Sequence, residues 1–198
     1  MQIGILLGMV KAIFFDFFGV IMPDLLDEWL LKQGISRDGR IEAASVDANV
    51  GRIDKDAFFK ILADEVGRDV DQIQSEYEAI ATPNQEIVNI ISKVNRSYPT
   101  LLISNADHVH LTQLIQKFGI DKLFNHIVIS GKVGSMKPHH EIYEEALKQA
   151  GCKPEEVVFT DDRAANIEGA ERAGITNAFV YESPQQLVRE LHSRGVEF

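Results

Sequence analysis

Ala12-Ile13-Phe14-Phe15-Asp16-Phe17 is the stretch on which the fold turns. Apart from Asp16 it is wholly apolar, without the alternation of a half-solvated strand, so it reads as a strand buried on both faces. A carboxylate inside such a run is expensive unless hydrogen bonds or a counter-charge meet it. Asp16 is therefore the first functional candidate. Gly19, just beyond it, permits a sharp turn.

Downstream of Pro83 the pattern alternates. Helical spacing over 86–94 precedes a strand at 100–103, and a helix over 109–118 precedes a strand at 126–129. A helix over 141–150 ends at Gly151 before a strand at 157–159. Another over 164–173 ends at Gly174 before a strand at 177–180, and a last helix covers 184–192. Strands alternating with helices imply an α/β fold, a parallel sheet covered on both faces. Residues 24–82 differ in character. Apolar side chains recur at helical spacing over 24–31, 54–66 and 71–81, with Asp54 and Asp71 where N-caps belong, and no convincing strand intervenes. We therefore expect an α/β core from residues 10–21 and 83–198 and a helical insertion over 22–82. Met9-Val10-Lys11 resembles a natural chain start, so residues 1–8 read as an extension or a start-site choice.

The 198 residues are 45% hydrophobic and 25% charged, the range of a folded globular chain. With 30 acidic against 20 basic residues the net charge is −10, which repels a nucleic-acid backbone or an anionic membrane; neither is expected as a partner. A small anionic substrate held by a few local positive groups remains compatible. No positive region precedes the apolar residues 3–10, and Asp16 interrupts the apolar residues 12–22, so neither reads as a signal peptide or a membrane span. Cys152, the single cysteine, excludes an intramolecular disulfide and fits a reducing compartment, hence the cytoplasm. A homo-oligomer is allowed but not indicated.

Ligands of open α/β sheets bind beyond the carboxyl ends of the strands. At those ends this chain carries Asp16, then Ser104-Asn105, then Lys137-Pro138 by a longer route, then Asp161-Asp162 with Asn166 further on. Singly, each has a plain alternative: a helix cap, a turn or a solvated lysine. Together they bring carboxylates, a hydroxyl, an amide and an ammonium to one edge. Asp16, Asp161 and Asp162 are hard oxygen ligands suited to Mg²⁺, and a backbone carbonyl near Phe18 adds another oxygen. Ser104 and helix-start N–H groups suit phosphate oxygens. Lys137 offers positive charge to the phosphate and to Asp16. A carboxylate so placed can attack a phosphoryl group in line.

FFDFFGV (14–20), LLISNAD (101–107), KVGSMKPHHEIY (132–143) and VVFTDDRAANIEGAERAGI (157–175) resemble the four motifs of the haloacid dehalogenase superfamily, in order and spacing across residues 10–182. The chain is most similar to bacterial sugar-phosphate phosphatases of the glucose-1-phosphate type and to the phosphatase-like N-terminal domain of epoxide hydrolase. The resemblance implies a Rossmann-like three-layer sandwich with a small helical cap. It also implies a Mg²⁺-dependent phosphatase acting on a small phosphorylated metabolite, a sugar phosphate among the candidates, through an aspartyl phosphate. By the same resemblance Asp16 is the nucleophile and a metal ligand, and Ser104 and Asn105 hold the phosphoryl group with Lys137 assisting. Asp162 is the main metal ligand of the fourth motif with Asp161 beside it, and Asn166 orients that loop.

One position departs from the pattern. Phosphatases of this type carry an acid–base Asp two residues after the nucleophile, and here Phe18 stands there. Losing such a group costs about 10²–10⁴-fold in typical cases. Two further readings follow: a metal-free 2-haloacid dehalogenase, whose relatives carry an aromatic residue there, and a catalytically weak binding protein. Asp161-Asp162 argues against the dehalogenase, which has no evident use for both carboxylates. Among the remaining signals, Trp29 reads as core, and Arg52, His108 and His110 read as surface. Arg37 and Arg40 also fall in the insertion, and His139-His140 open a helix. Cys152 shows no paired base.

Overall fold

The computed structural model describes residues 9–198; the expectation about residues 1–8 lies outside them. The opening strand, β1 (Ala12–Phe15), stands at the centre of a five-stranded sheet. Four helices follow it, α1 (Leu25–Gln33), α2 (Gly39–Asn49), α3 (Lys55–Val66) and α4 (Val70–Ile80). Then come α5 (Gln85–Val94), β2 (Thr100–Ser104), α6 (His108–Lys117), β3 (His126–Ile129), the short α7 (Ser130–Val133) and α8 (His140–Ala150). The chain closes with β4 (Val157–Asp161), α9 (Ala164–Arg172), β5 (Asn177–Val180) and α10 (Pro184–Ser193). The strands pair in parallel in the order β3-β2-β1-β4-β5. Among the described residues no helix is long and apolar enough to cross a membrane.

Strand side chains alternate between two apolar layers, as a pleated strand requires. Ala12, Phe14, Leu101, Ile103, Val157 and Phe159 pack against Ile142, Tyr143 and Ala146 of α8 and Ile167 and Ala170 of α9. Ile13, Phe15, Leu102 and Val158 face the other way, toward Ile87 and Ile91 of α5, Leu111 of α6 and Leu187 of α10. Phe14 and Phe15 are both fully buried, which is why an all-apolar run was needed on each face. Each such ring contributes roughly 1.5–3 kcal/mol by leaving water. The second layer continues without a break into Trp29, Phe59, Leu62 and Ile73 of the four-helix segment.

Two expectations needed correction in that segment. Asp71 is not the N-cap of α4: Asp69 is, accepting from Asp71 N and Gln72 N, so the helix starts one residue before Asp71. Helix α2 was not expected at all. Its inward positions Ile41, Ala44, Ser45 and Ala48 do recur at helical spacing, but small side chains blur the apolar stripe.

The strand order makes β1 the point where successive connections leave to opposite sides, so its carboxyl end opens a crevice between β2 and β4.

Candidate active site

Asp16 leaves β1 directly into that crevice. Its N–H donates to Thr160 O of β4 at 3.0 Å, and its Oδ1 accepts from Phe17 N at 2.6 Å. Asp161, the last residue of β4, is wholly buried. Lys137 arrives between α7 and α8 and reaches both carboxylates. Its Nζ lies 2.7 Å from Asp16 Oδ1 and 2.6 Å from Asp161 Oδ2, and it donates to Ile103 O at 2.9 Å. Those acceptors fill the three N–H directions of an ammonium. Lys137 therefore bears directly on Asp16 and Asp161.

Asn105 holds the backbone of Lys137. Its Oδ1 accepts from Lys137 N at 2.8 Å and its Nδ2 donates to Lys137 O at 2.9 Å, so the amide clamps the lysine's backbone. Asn166 orients the acidic loop as expected: its Nδ2 donates to Asp161 Oδ1 at 2.8 Å, beside Arg163 N at 2.9 Å.

Two polar atoms of the expected site residues are left over. Ser104 Oγ and Asp162 Oδ1 are buried and have no hydrogen-bond partner among the described residues. Gly19, at φ +84°, explains how Asp162 fits: a Cβ there would fall on the Asp162 carboxyl group, so the turn carrying Phe18 packs directly against that side chain. Asp16, Asp161 and Asp162 each offer a carboxylate oxygen, and these lie within 4.8 Å of one another.

The electrostatics are unbalanced. Burial, and then Asp161, push the Asp16 carboxyl well above its ordinary range, against the pull of Lys137. Burial and Asp161 also raise Asp162. Burial works against the Lys137 ammonium, but Asp16 and Asp161 outweigh it and hold the proton in place. Three carboxylates thus face one buried ammonium. A divalent cation would cancel that surplus, and the unpartnered Asp162 oxygen fits a hard, oxygen-seeking ion.

The structure adds residues that the sequence did not single out. Asp24 caps α1 and also meets Arg37 at 3.3 Å and Arg163 at 2.8 Å, joining the four-helix segment to the acidic loop. Ser130 accepts from Ala106 N at 2.9 Å and donates to Asn49 O, joining the same segment to the second strand end. Only the small, polar Ser130-Gly131 pair hinted at that contact. His110 corrects an expectation: its Nε2 is buried and unpartnered among the described residues, not on the surface. Burial, then the nearby Lys55, hold its pKa below the usual value. Arg52 is solvated and paired with Asp47 at 2.8 Å, and Trp29 is buried with its indole on Glu76 at 3.2 Å, both as expected.

A protein-family model described as "haloacid dehalogenase-like hydrolase" matches residues 10–174. A glyceraldehyde 3-phosphate phosphatase of Methanothermobacter thermautotrophicus is 34% identical over 92 residues, 46% of this chain and 41% of that relative. The match thus spans less than half the length of that curated relative. A HAD family enzyme of Bacteroides thetaiotaomicron, solved with magnesium and inorganic phosphate, superposes with a TM-score of 0.71 at 21% identity, covering 87% of this chain and 94% of that one. An L-2-haloacid dehalogenase of Xanthobacter autotrophicus, solved with chloropropionic acid covalently bound, gives 0.65 at 20% identity over 96% and 85%. At these identities both solved structures speak for the fold.

Proposed function

This chain belongs to the haloacid dehalogenase-like hydrolase family, and from that premise we propose that it is a phosphatase acting on a small phosphorylated metabolite. The observation that carries this reading is the buried surplus of negative charge, Asp16, Asp161 and Asp162 against Lys137, beside the Ser104 hydroxyl, which has no partner among the described residues. Such a site calls for a divalent cation and for an anion held by donors. The curated phosphatase relative and the magnesium-and-phosphate complex of a neighbour support the same reading.

Asp16, Asp162, Asp161 and the Phe18 carbonyl would hold Mg²⁺, which when bound neutralises the phosphate and the surrounding carboxylates. The rest is the work of this chain's own groups. Ser104 Oγ donates to a phosphoryl oxygen. Lys137, fixed by Asn105, keeps the Asp16 carboxylate aimed and favours its ionised form. Asp16 attacks phosphorus, the bond to the leaving oxygen breaks, and an aspartyl phosphate forms. Water then attacks phosphorus, releasing inorganic phosphate and restoring Asp16. The leaving oxygen must take its proton from water, since the Phe18 ring supplies none. Residues 22–82 act as a cap over the site, and the lone Cys152 suits a cytoplasmic setting.

A panel of phosphate monoesters, assayed with Mg²⁺ and with chelator, tests the reading. Turnover that needs Mg²⁺ is expected. Phe18 favours the dehalogenase as the second reading, and halide release from 2-haloacids with a silent phosphate panel would install it instead. Silence on both would leave a binding protein.

A further inference from the structure

The cleft over Asp16 does not end at Phe18. Phe18, Asn105 and Arg37 line it, and they also line a second cavity of about 70 Å³ between α6 and the four-helix segment. Leu25, Phe58 and Phe59 give that cavity apolar walls. Arg37 offers it little, because Glu42, Asp24, Asp27 and Ser45 already occupy its guanidinium. Of the other nitrogen groups lining it, which include the Asn49 amide, two lie on α3 and α6. His110 lines the cavity with a buried Nε2 that has no partner among the described residues. The Lys55 ammonium lies 5.7 Å from the Phe59 ring and pairs with Glu78 at 3.3 Å, leaving N–H directions over. Asp107 stands on the same wall, but its carboxylate accepts from His110 N at 2.7 Å as the cap of α6.

We propose that this second cavity receives the leaving group, and that His110 and Lys55 select a short one whose far end carries a carboxylate; this rests on the phosphatase reading. An apolar group there would leave the buried imidazole nitrogen without a partner, which is costlier than a missing contact. A carboxylate accepts from both nitrogens. The space favours a short group. A water-sized group needs roughly 10–15 Å³ of such volume, so about 70 Å³ matches a three-carbon acid better than a hexose.

The test compares kcat/KM for 3-phosphoglycerate and glycerol 3-phosphate, equal in carbon count and differing at the far end, with Mg²⁺ present. The parent is expected to favour the acid. Lys55→Met and His110→Leu each lower that preference about tenfold, mainly through KM, the scale of one hydrogen bond to a charged group. His110→Gln, which keeps an N–H donor, retains most of it. A parent indifferent to the acid, or a preference unchanged in both Lys55→Met and His110→Leu, overturns the proposal. Should His110→Leu fail to fold by thermal melting, the partly exposed Lys55 still decides. Imidazole NMR of the Asp16→Asn chain with Mg²⁺ separates the two readings. A His110 signal that moves with 3-phosphoglycerate while the parent turns nothing over sinks the phosphatase and keeps the cavity. Turnover with a motionless signal sinks the cavity alone.

Discussion

In the α/β half, Lys137 meets Asp16 and Asp161 with side chains 8% exposed or less. In the four-helix segment Arg40 and Lys60 meet their carboxylates at 57% and 70% exposure. The two kinds of pairing answer to different physics. Charges buried at the strand ends are strongly coupled and each depends on the others being present. Charges on the helices sit in water, where a pair is worth about 0–1 kcal/mol and can be exchanged. Chemistry is therefore pinned by the sheet, while the helices over it hold a shape that tolerates change.

Removing the proposed nucleophile presses hardest on this contrast. Asp16→Asn should lower kcat by about 10⁴-fold or more, the scale of losing a nucleophile. It should leave the melting temperature unchanged or higher, since Asp161 still pairs with Lys137 while burial and Asp161 already oppose the charge on Asp16. A collapsed fold would mean that the carboxylate is structural, and the contrast would fail. Lys137→Met comes next. It strands two buried carboxylates and should cost about 3–5 kcal/mol in urea unfolding. Arg40→Met, which frees the exposed Glu65, should cost less than about 1 kcal/mol. Equal losses would erase the difference between the halves.

Phe18→Asp probes the seam where the halves meet. Phe18 lines both cavities and stacks edge-on against Phe17 at 4.9 Å. Supplying an acid there should raise kcat for an alkyl phosphate by about 10²-fold. An aryl phosphate, whose leaving oxygen needs no proton, should gain far less. Equal gains for both esters would show that the proton is not what Phe18 withholds.

The sheet was readable because every strand is apolar enough to be told from its neighbours, and β3 and β5 match their expected bounds. The acidic strand ends were readable because a carboxylate inside an apolar run is costly and persists only where a partner compensates its charge. What stayed hidden depends on partners far away in sequence. Asn105 has the residue type of a phosphate ligand, and only its distance to the Lys137 backbone shows what it does. His110 looks like any polar helix residue until α3 and α4 close over it. Helix α2 escaped because alanine and serine carry its inward face.

The smallest expected effect lies inside the helical segment, where the single tryptophan of the chain reports on it. Trp29 donates its indole N–H to Glu76 Oε2, and Arg68 pairs with the same carboxylate. Arg68 first, and Trp29 as well, hold the Glu76 carboxyl below its ordinary 4.5. A depressed carboxyl contributes stability that is complete above 4.5 and is lost as the pH falls through its lower folded value. Trp29 emission should therefore hold steady down to about that point and shift only below it. Arg68→Met removes the main cause of the depression, so the shift should begin at a higher pH and approach 4.5. Far-UV circular dichroism should follow later in acid, because the sheet loses nothing when this exposed pair breaks. Emission and dichroism changing together, at one midpoint in both proteins, would show that the helices and the sheet answer to acid as a single unit and that their separation by charge is apparent only.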